Sequence, residues 1–104
     1  MMTGTLEQSE AAAAAVQKTP HRVTLEELEA KIASEEFVNP PSVPHMTICV
    51  LTTINGYALV GRSAPADPEN FNEALQRKFA REDALRQLWP LEGYMLREAL
   101  HNET

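Results

Sequence analysis

With 104 residues, 9 Lys and Arg against 15 Asp and Glu, and a net charge of −6, the chain is limited to one modest domain and lacks the basic footprint of a general nucleic-acid or anionic-membrane binder. Its single cysteine, Cys49, excludes an internal disulfide and fits a reducing compartment. No apolar run reaches membrane-spanning length, and the opening MMTGTLEQSE lacks the basic-then-apolar pattern of a secretory signal; a cytoplasmic protein is expected.

Residues 1–21 are polar and alanine-rich, with the run Ala11 to Ala15 ahead of Pro20. Alanine favours helix, but Leu6 and Val16 offer little apolar area for docking. A mobile arm is expected, with a frayed helix over residues 6–17 as the alternative. The rest, residues 22–104, reads as a single small domain.

That domain opens on a capping box, Thr24 with Glu27 three residues on, flanked by Val23 and Leu28 as a hydrophobic staple. Leu25, Leu28, Ile32 and Phe37 follow at helical spacing, which carries the expected helix towards Phe37. The prolines of Asn39-Pro40-Pro41-Ser42-Val43-Pro44 forbid helix and point to an extended connector.

Residues 47–63, TICVLTTINGYALVGRS, place two β-branched runs around Asn55-Gly56, the strongest short signal for a two-residue hairpin loop. With that loop, Ile54 is expected to face Tyr57, Thr52 to face Leu59, Val50 to face Gly61 and Cys49 to face Arg62. One side of the ribbon then carries Ile48, Val50, Thr52, Ile54, Tyr57 and Leu59, the other Cys49, Leu51, Thr53, Ala58 and Val60. Neither is plainly the wet side. Because an isolated two-stranded ribbon is marginal in water, helices must cover it and a second copy is expected to extend it.

Asp67 with Pro68 starts a second helix, expected over residues 68–88. Trp89-Pro90 resets the backbone, and a third helix begins at Pro90 with Leu91, Tyr94, Met95, Ala99 and Leu100 as its apolar face. The expected fold is α+β, one antiparallel hairpin with about three helices in the order α-β-β-α-α.

Pro68-Glu69-Asn70-Phe71, then Arg77-Lys78, Ala80, Glu82 and Ala84, then Trp89-Pro90-Leu91-Glu92-Gly93-Tyr94 with Leu96-Arg97, resemble a family of small proteins from tailed phages and prophages. It is the family typified by the phage N-four gene forty-nine and phage Sf-six gene sixty-six products. Cys49-Val50-Leu51 with Asn55-Gly56 and the capped helix from Val23-Thr24 to Ile32 fit the same pattern, so the resemblance spans roughly residues 22–100. It implies a phage or prophage origin and a host-cytoplasm location, without an established activity.

In the second helix Phe71, Ala74, Leu75, Phe79, Leu85 and Trp89 form one stripe, and Lys78 and Glu82 fall near its middle. Either their stems cover the stripe while the charges reach water, or Lys78, Glu82 and Trp89 line a cleft or subunit contact. Arg77, Lys78, Arg81 and Arg86 make this helix locally basic, as a solvated face or as a small anion site. Trp89 and Tyr94 are read as core or, if exposed, as a binding surface.

His21, His45, His101 and Cys49 lack metal-ligand spacing. No phosphate loop or nucleophile triad is present. No cofactor or metal is expected.

Three functions remain. The leading one is a non-enzymatic phage accessory protein, a homo-oligomer that binds a host or phage protein, with Ile48, Val50, Leu51, Ile54, Tyr57, Leu59 and Val60 as candidate oligomer contacts. The second is a small-ligand binder that sequesters a nucleotide-type anion in an inter-subunit site on Lys78, Arg81, Glu82 and Trp89, with Arg77 and Tyr94 nearby. The third is an enzyme using Glu82 or Glu92 as a base.

Overall fold

A helix too short to stand alone sets the first turn of the domain. In the computed structural model, which describes residues 5–103, helix α2 (Leu25–Ala30) is capped as expected: Thr24 Oγ1 accepts from the Glu27 amide, and the Glu27 side chain reaches back to the Thr24 amide. An earlier helix, α1 (Leu6–Ala15), lies within the expected arm and carries its own capping box on Thr5 and Gln8. Its Leu6 is buried in the same core as Leu28, and Glu10 holds Arg22 at 2.7 Å. That hydrogen bond keeps the Glu10 carboxyl below its ordinary range. Residues 1–4 of the expected arm, and Thr104, lie outside the described residues.

The α2 helix does not reach Phe37. It stops at Ala30, and residues expected as its continuation form strand β1 (Ile32–Val38). This strand pairs antiparallel with β2 (Thr47–Thr53), which pairs antiparallel with β3 (Ala58–Ser63). The sheet order is β1-β2-β3. The hairpin is thus extended within the chain itself, and the fold is α+β. Residues 39–46, expected as an extended connector, instead reverse the chain through two turns, Val43 N–H to Pro40 C=O and Met46 N–H to Val43 C=O. Asn39 closes the loop by donating to Met46 O and Thr47 Oγ1.

The hairpin register differs by one residue from that of a two-residue loop. Cys49 stands opposite Gly61, Val50 opposite Val60 and Leu51 opposite Leu59. The loop has three residues, Ile54, Asn55 and Gly56, closed by Gly56 N–H to Thr53 C=O and Thr53 N–H to Tyr57 C=O. Only Gly56 takes a positive φ, +88°. This is the turn-plus-bulge solution, which asks for one left-handed residue where the tighter loop asks for two. Thr53 and Asn55 select it, because Thr53 Oγ1 and Asn55 Oδ1 both accept from the Tyr57 amide.

The slip of one moves every β3 side chain to the other face and resolves which side is wet. Thr47, Cys49, Leu51 and Thr53 of β2, with Leu59 and Gly61 of β3, are buried. Their neighbours Ala58, Val60 and Arg62 are exposed.

Helix α3 (Glu73–Arg86) lies across the buried side and closes the core around Leu28, Leu51 and Leu85, all fully buried. It starts later than expected. Asp67 and Pro68 open only a short 3₁₀ turn, Pro68–Asn70, and Phe71 returns to extended backbone. Asn72 is the cap of α3, its side chain accepting from the Leu75 amide. The chain then kinks at Gln87, and α4 (Leu88–Asn102) begins ahead of Trp89-Pro90 rather than after it. Pro90 sits in the first turn, where its missing N–H leaves no bond unmade.

One edge of the sheet is closed by α3. Asp83 Oδ2 accepts the Arg62 amide at 3.0 Å, and Gln87 Nε2 donates to Val60 O at 2.8 Å. These groups alternate with the ones β3 gives to β2, so they point outward from the edge.

Cys49 faces this core opposite Gly61, so the expected pairing with Arg62 does not occur. Burial, with the Glu35 charge adding to it, pushes its thiol up to about 11. A buried thiol of that kind should be inert. Labelling by a disulfide reagent in native buffer should be at least ~100-fold slower than in denaturant, where the thiol has its ordinary reactivity. Equal rates in the two solvents would place Cys49 at the surface and contradict the register.

Candidate functional site

The cations singled out in α3 as site residues are already engaged by carboxylates of this chain. Lys78 Nζ reaches Glu82 Oε2 at 3.1 Å, and Glu7 of α1 stands 4.0 Å from the same nitrogen. The Glu82 side chain is buried, while that of Lys78 is half exposed. Glu82 Oε1 has no hydrogen-bond partner among the described residues. Arg81 makes a two-pronged contact with Glu29, at 2.7 and 3.0 Å, and a third bond to Glu35 at 3.1 Å. Glu29 above all, with Glu35, raises its pKa above the ordinary arginine value. An anion arriving at Arg81 would compete with both carboxylates. Arg77 lies 5.0 Å from the Phe37 ring centre and 3.5 Å from Glu73. Trp89 is partly buried and packs against the core, its indole N–H donating to Val23 O at 3.2 Å.

Tyr94 behaves differently. It is 69% exposed, and Leu91 and Met95 beside it on α4 are 42% and 59% exposed. These three residues, at i, i+3 and i+4, form one stripe of the helix. They face the hairpin tip, where Ile54 and Tyr57 are also exposed. Between tip and helix lies a cleft of about 450 Å³ bordered by all five residues together with Lys31, Thr53, Asn55, Leu88 and Glu92.

The cleft is built from the sequence upward. The three-residue loop leaves the side chains of Ile54 and Tyr57 exposed at the hairpin tip, and the Ile54 amide donates to Lys31 O at 2.8 Å, which ties the tip to the end of α2. Lys31 also reaches across to Glu92 at 3.6 Å. That ion pair joins α2 to α4 beneath the apolar rim, and buried Leu88 completes the base.

Of the residues expected as partner-binding, only Tyr94 lies on this cleft. Ile54 and Tyr57, expected as oligomer contacts, join it, whereas Leu51 and Leu59 lie in the core and Ile48, Val50 and Val60 lie on the opposite sheet face. Lys31, Leu91 and Met95 were not singled out as site residues, and Glu92 was named only as a possible catalytic base. The spacing of Leu91, Tyr94 and Met95 was a visible signal, but it reads equally as the buried side of a helix.

An exposed aromatic and aliphatic rim over a charge pair is suited to holding an apolar group. The apolar atoms supply the affinity, and the few polar ones fix orientation. Among the described residues no group of three or more His, Cys, Asp and Glu could hold a metal ion, and no helix is long and apolar enough to cross a membrane.

Compared with known protein families, residues 23–100 match the one described as "Phage protein (N4 Gp49/phage Sf6 gene 66) family". No match is found among curated proteins or among solved structures.

Proposed function

Because this chain belongs to the phage protein (N4 Gp49/phage Sf6 gene 66) family, we propose that it is a non-catalytic phage or prophage accessory protein that works as a homo-oligomeric binding module. It acts in the host-cell cytoplasm and takes an apolar segment of a host or phage protein into the cleft between hairpin tip and α4. The observation that carries this reading is the convergence of Ile54, Tyr57, Leu91, Tyr94 and Met95, all exposed, on one cavity. Single exposed apolar residues are ordinary, but five around one concavity mark a contact surface.

The test is a partner captured by a photo-crosslinking residue at position 94 and then measured with purified components. Tyr94→Ala combined with Met95→Ala should weaken its binding by at least ~30-fold, as truncation of central aromatic anchors does. Leu100→Ala, on the far part of α4, should leave the affinity within ~2-fold. Equal affinity of wild type and the double variant would remove the cleft from the function. A nucleotide that stabilises the protein saturably, and no longer does so in Lys78→Ala, would favour a small-anion site on α3 instead.

A further inference from the structure

The sheet has a second face that no helix packs against extensively. On it Val38 of β1 and Val60 of β3 are 42% and 53% exposed, and Ile48 and Val50 of β2, between them, are half-buried. Two charges stand at its flanks, Glu36 on β1 and Arg62 on β3, both exposed. The register sets their places. Glu36 is opposite Val50, which is opposite Val60; Val38 is opposite Ile48, which is opposite Arg62. The acid and the base therefore lie on the two outer strands in adjacent rows.

With strands about 4.8 Å apart, the outer two are about 10 Å from each other across β2. Neither side chain has an ion-pair partner among the described residues. The Arg62 amide, on the edge of β3, donates to Asp83 Oδ2.

We propose that this face is where two copies of the chain meet. A twofold axis running in the interface along β2 lays β1 of each copy over β3 of the other. The same operation brings Glu36 of each copy alongside the strand that carries Arg62 in its partner. The Glu36–Arg62 contact then occurs twice by symmetry, around a centre of Ile48, Val50, Val38 and Val60. Sheets packed face to face within about 30° of alignment have the spacing this needs.

The chain as a whole is acidic, yet this face carries one charge of each sign, so a second copy meets no local repulsion there. A three-stranded patch is small by the standard of permanent dimers, and the association belongs in the micromolar range. This inference rests on the homo-oligomer reading above and names its surface.

Light scattering of the full chain from about 5 to 300 µM, with far-UV circular dichroism as a check on folding, tests it. Wild type should pass from monomer to dimer. E36R and R62E should each raise the dissociation constant at least tenfold, and the double variant E36R/R62E should return to within about threefold of wild type. As a readout that needs no charge reversal, V50C places a thiol beside the axis; sheets about 10 Å apart hold the two thiols too far from each other for a disulfide, and a short bismaleimide should join them into a covalent dimer.

A wild type that stays monomeric throughout would overturn both this surface and the oligomer reading. An oligomer that survives E36R and R62E, or forms without V50C cross-linking, would overturn this surface alone. So would a failure of the charge swap to restore a folded dimer.

Discussion

Gly61→Ala should cost the protein at least ~3 kcal/mol, seen as a large drop in the urea midpoint at unchanged slope. The cause is a meeting of two backbones. Gly61 lies on the buried side of β3, and α3 crosses it on Ala80 and Ala84, both fully buried. A Cβ built at Gly61 would run into the carbonyl oxygen of Ala80 and the amide nitrogen of Ala84, and would stand 2.9 Å from the Ala84 Cα. None of these is the end of a flexible side chain, so the only relief is for the helix to lift away. Lifting it would also stretch the bonds from Asp83 and Gln87 to the edge of β3. A domain of this size has about 5–15 kcal/mol in all, so the loss is a large share. Gly93→Ala is the control. Nothing lies within 4 Å of a Cβ there, and the site is inside α4, where alanine should stabilise by ~0.5–1 kcal/mol. If Gly61→Ala unfolds within ~0.5 kcal/mol of wild type, the close crossing is wrong.

Lys78→Met should destabilise by ~2 kcal/mol, and Lys78→Met combined with Glu82→Met should recover most of that loss. Lys-then-Glu at i, i+4 is the weaker order on a helix surface, where the pair would contribute only a few tenths of a kcal/mol. Here the glutamate is not on the surface. Its side chain is 7% exposed, one oxygen is held by Lys78, and the other has no partner among the described residues. Removing the lysine strands a buried charge, a change that costs about 3–5 kcal/mol when both partners are fully buried. The figure is smaller here because Lys78 is half exposed and water can approach its place. Replacing both residues by apolar ones of similar volume removes the desolvated charge together with its counter-ion. A double-mutant cycle by chemical denaturation measures the coupling. A neutral Lys78→Met would show that the glutamate is hydrated after all.

The local signals of the sequence carried much of the fold. Thr24 and Glu27 marked the start of α2, and Asn55-Gly56 marked the hairpin. The same capping chemistry stands at Thr5 and Gln8, where alanine-rich composition drew attention away from it. What failed was parity. Ile32 and Phe37 are five apart, so a regular strand would put them on opposite faces, whereas both continue the helical spacing of Leu25 and Leu28. The ladder skips a residue between Ile32 and Ser34, and that bulge turns both side chains towards the core.

The hairpin slipped for a related reason. Which of two loops forms depends on the φ of Asn55 and on the Thr53 hydroxyl, details that a dipeptide signal does not contain. Arg81 was visible as a cation, but its partners Glu29 and Glu35 come from α2 and β1, 52 and 46 residues away in the chain. The cleft was hidden by ambiguity of another kind, because a stripe of Leu91, Tyr94 and Met95 looks the same whether or not anything lies over it.

Asp83 and Gln87 leave the molecule lopsided. Their bonds take two outward groups in the middle of β3, the Val60 carbonyl and the Arg62 amide, and break the run that a foreign strand would need there, which leaves the rim beside β1. Each chain thus offers a single adhesive rim, and two chains joined rim to rim would exhaust it. Growth into a fibre, which requires a free rim at both ends of every unit, is blocked at the second step.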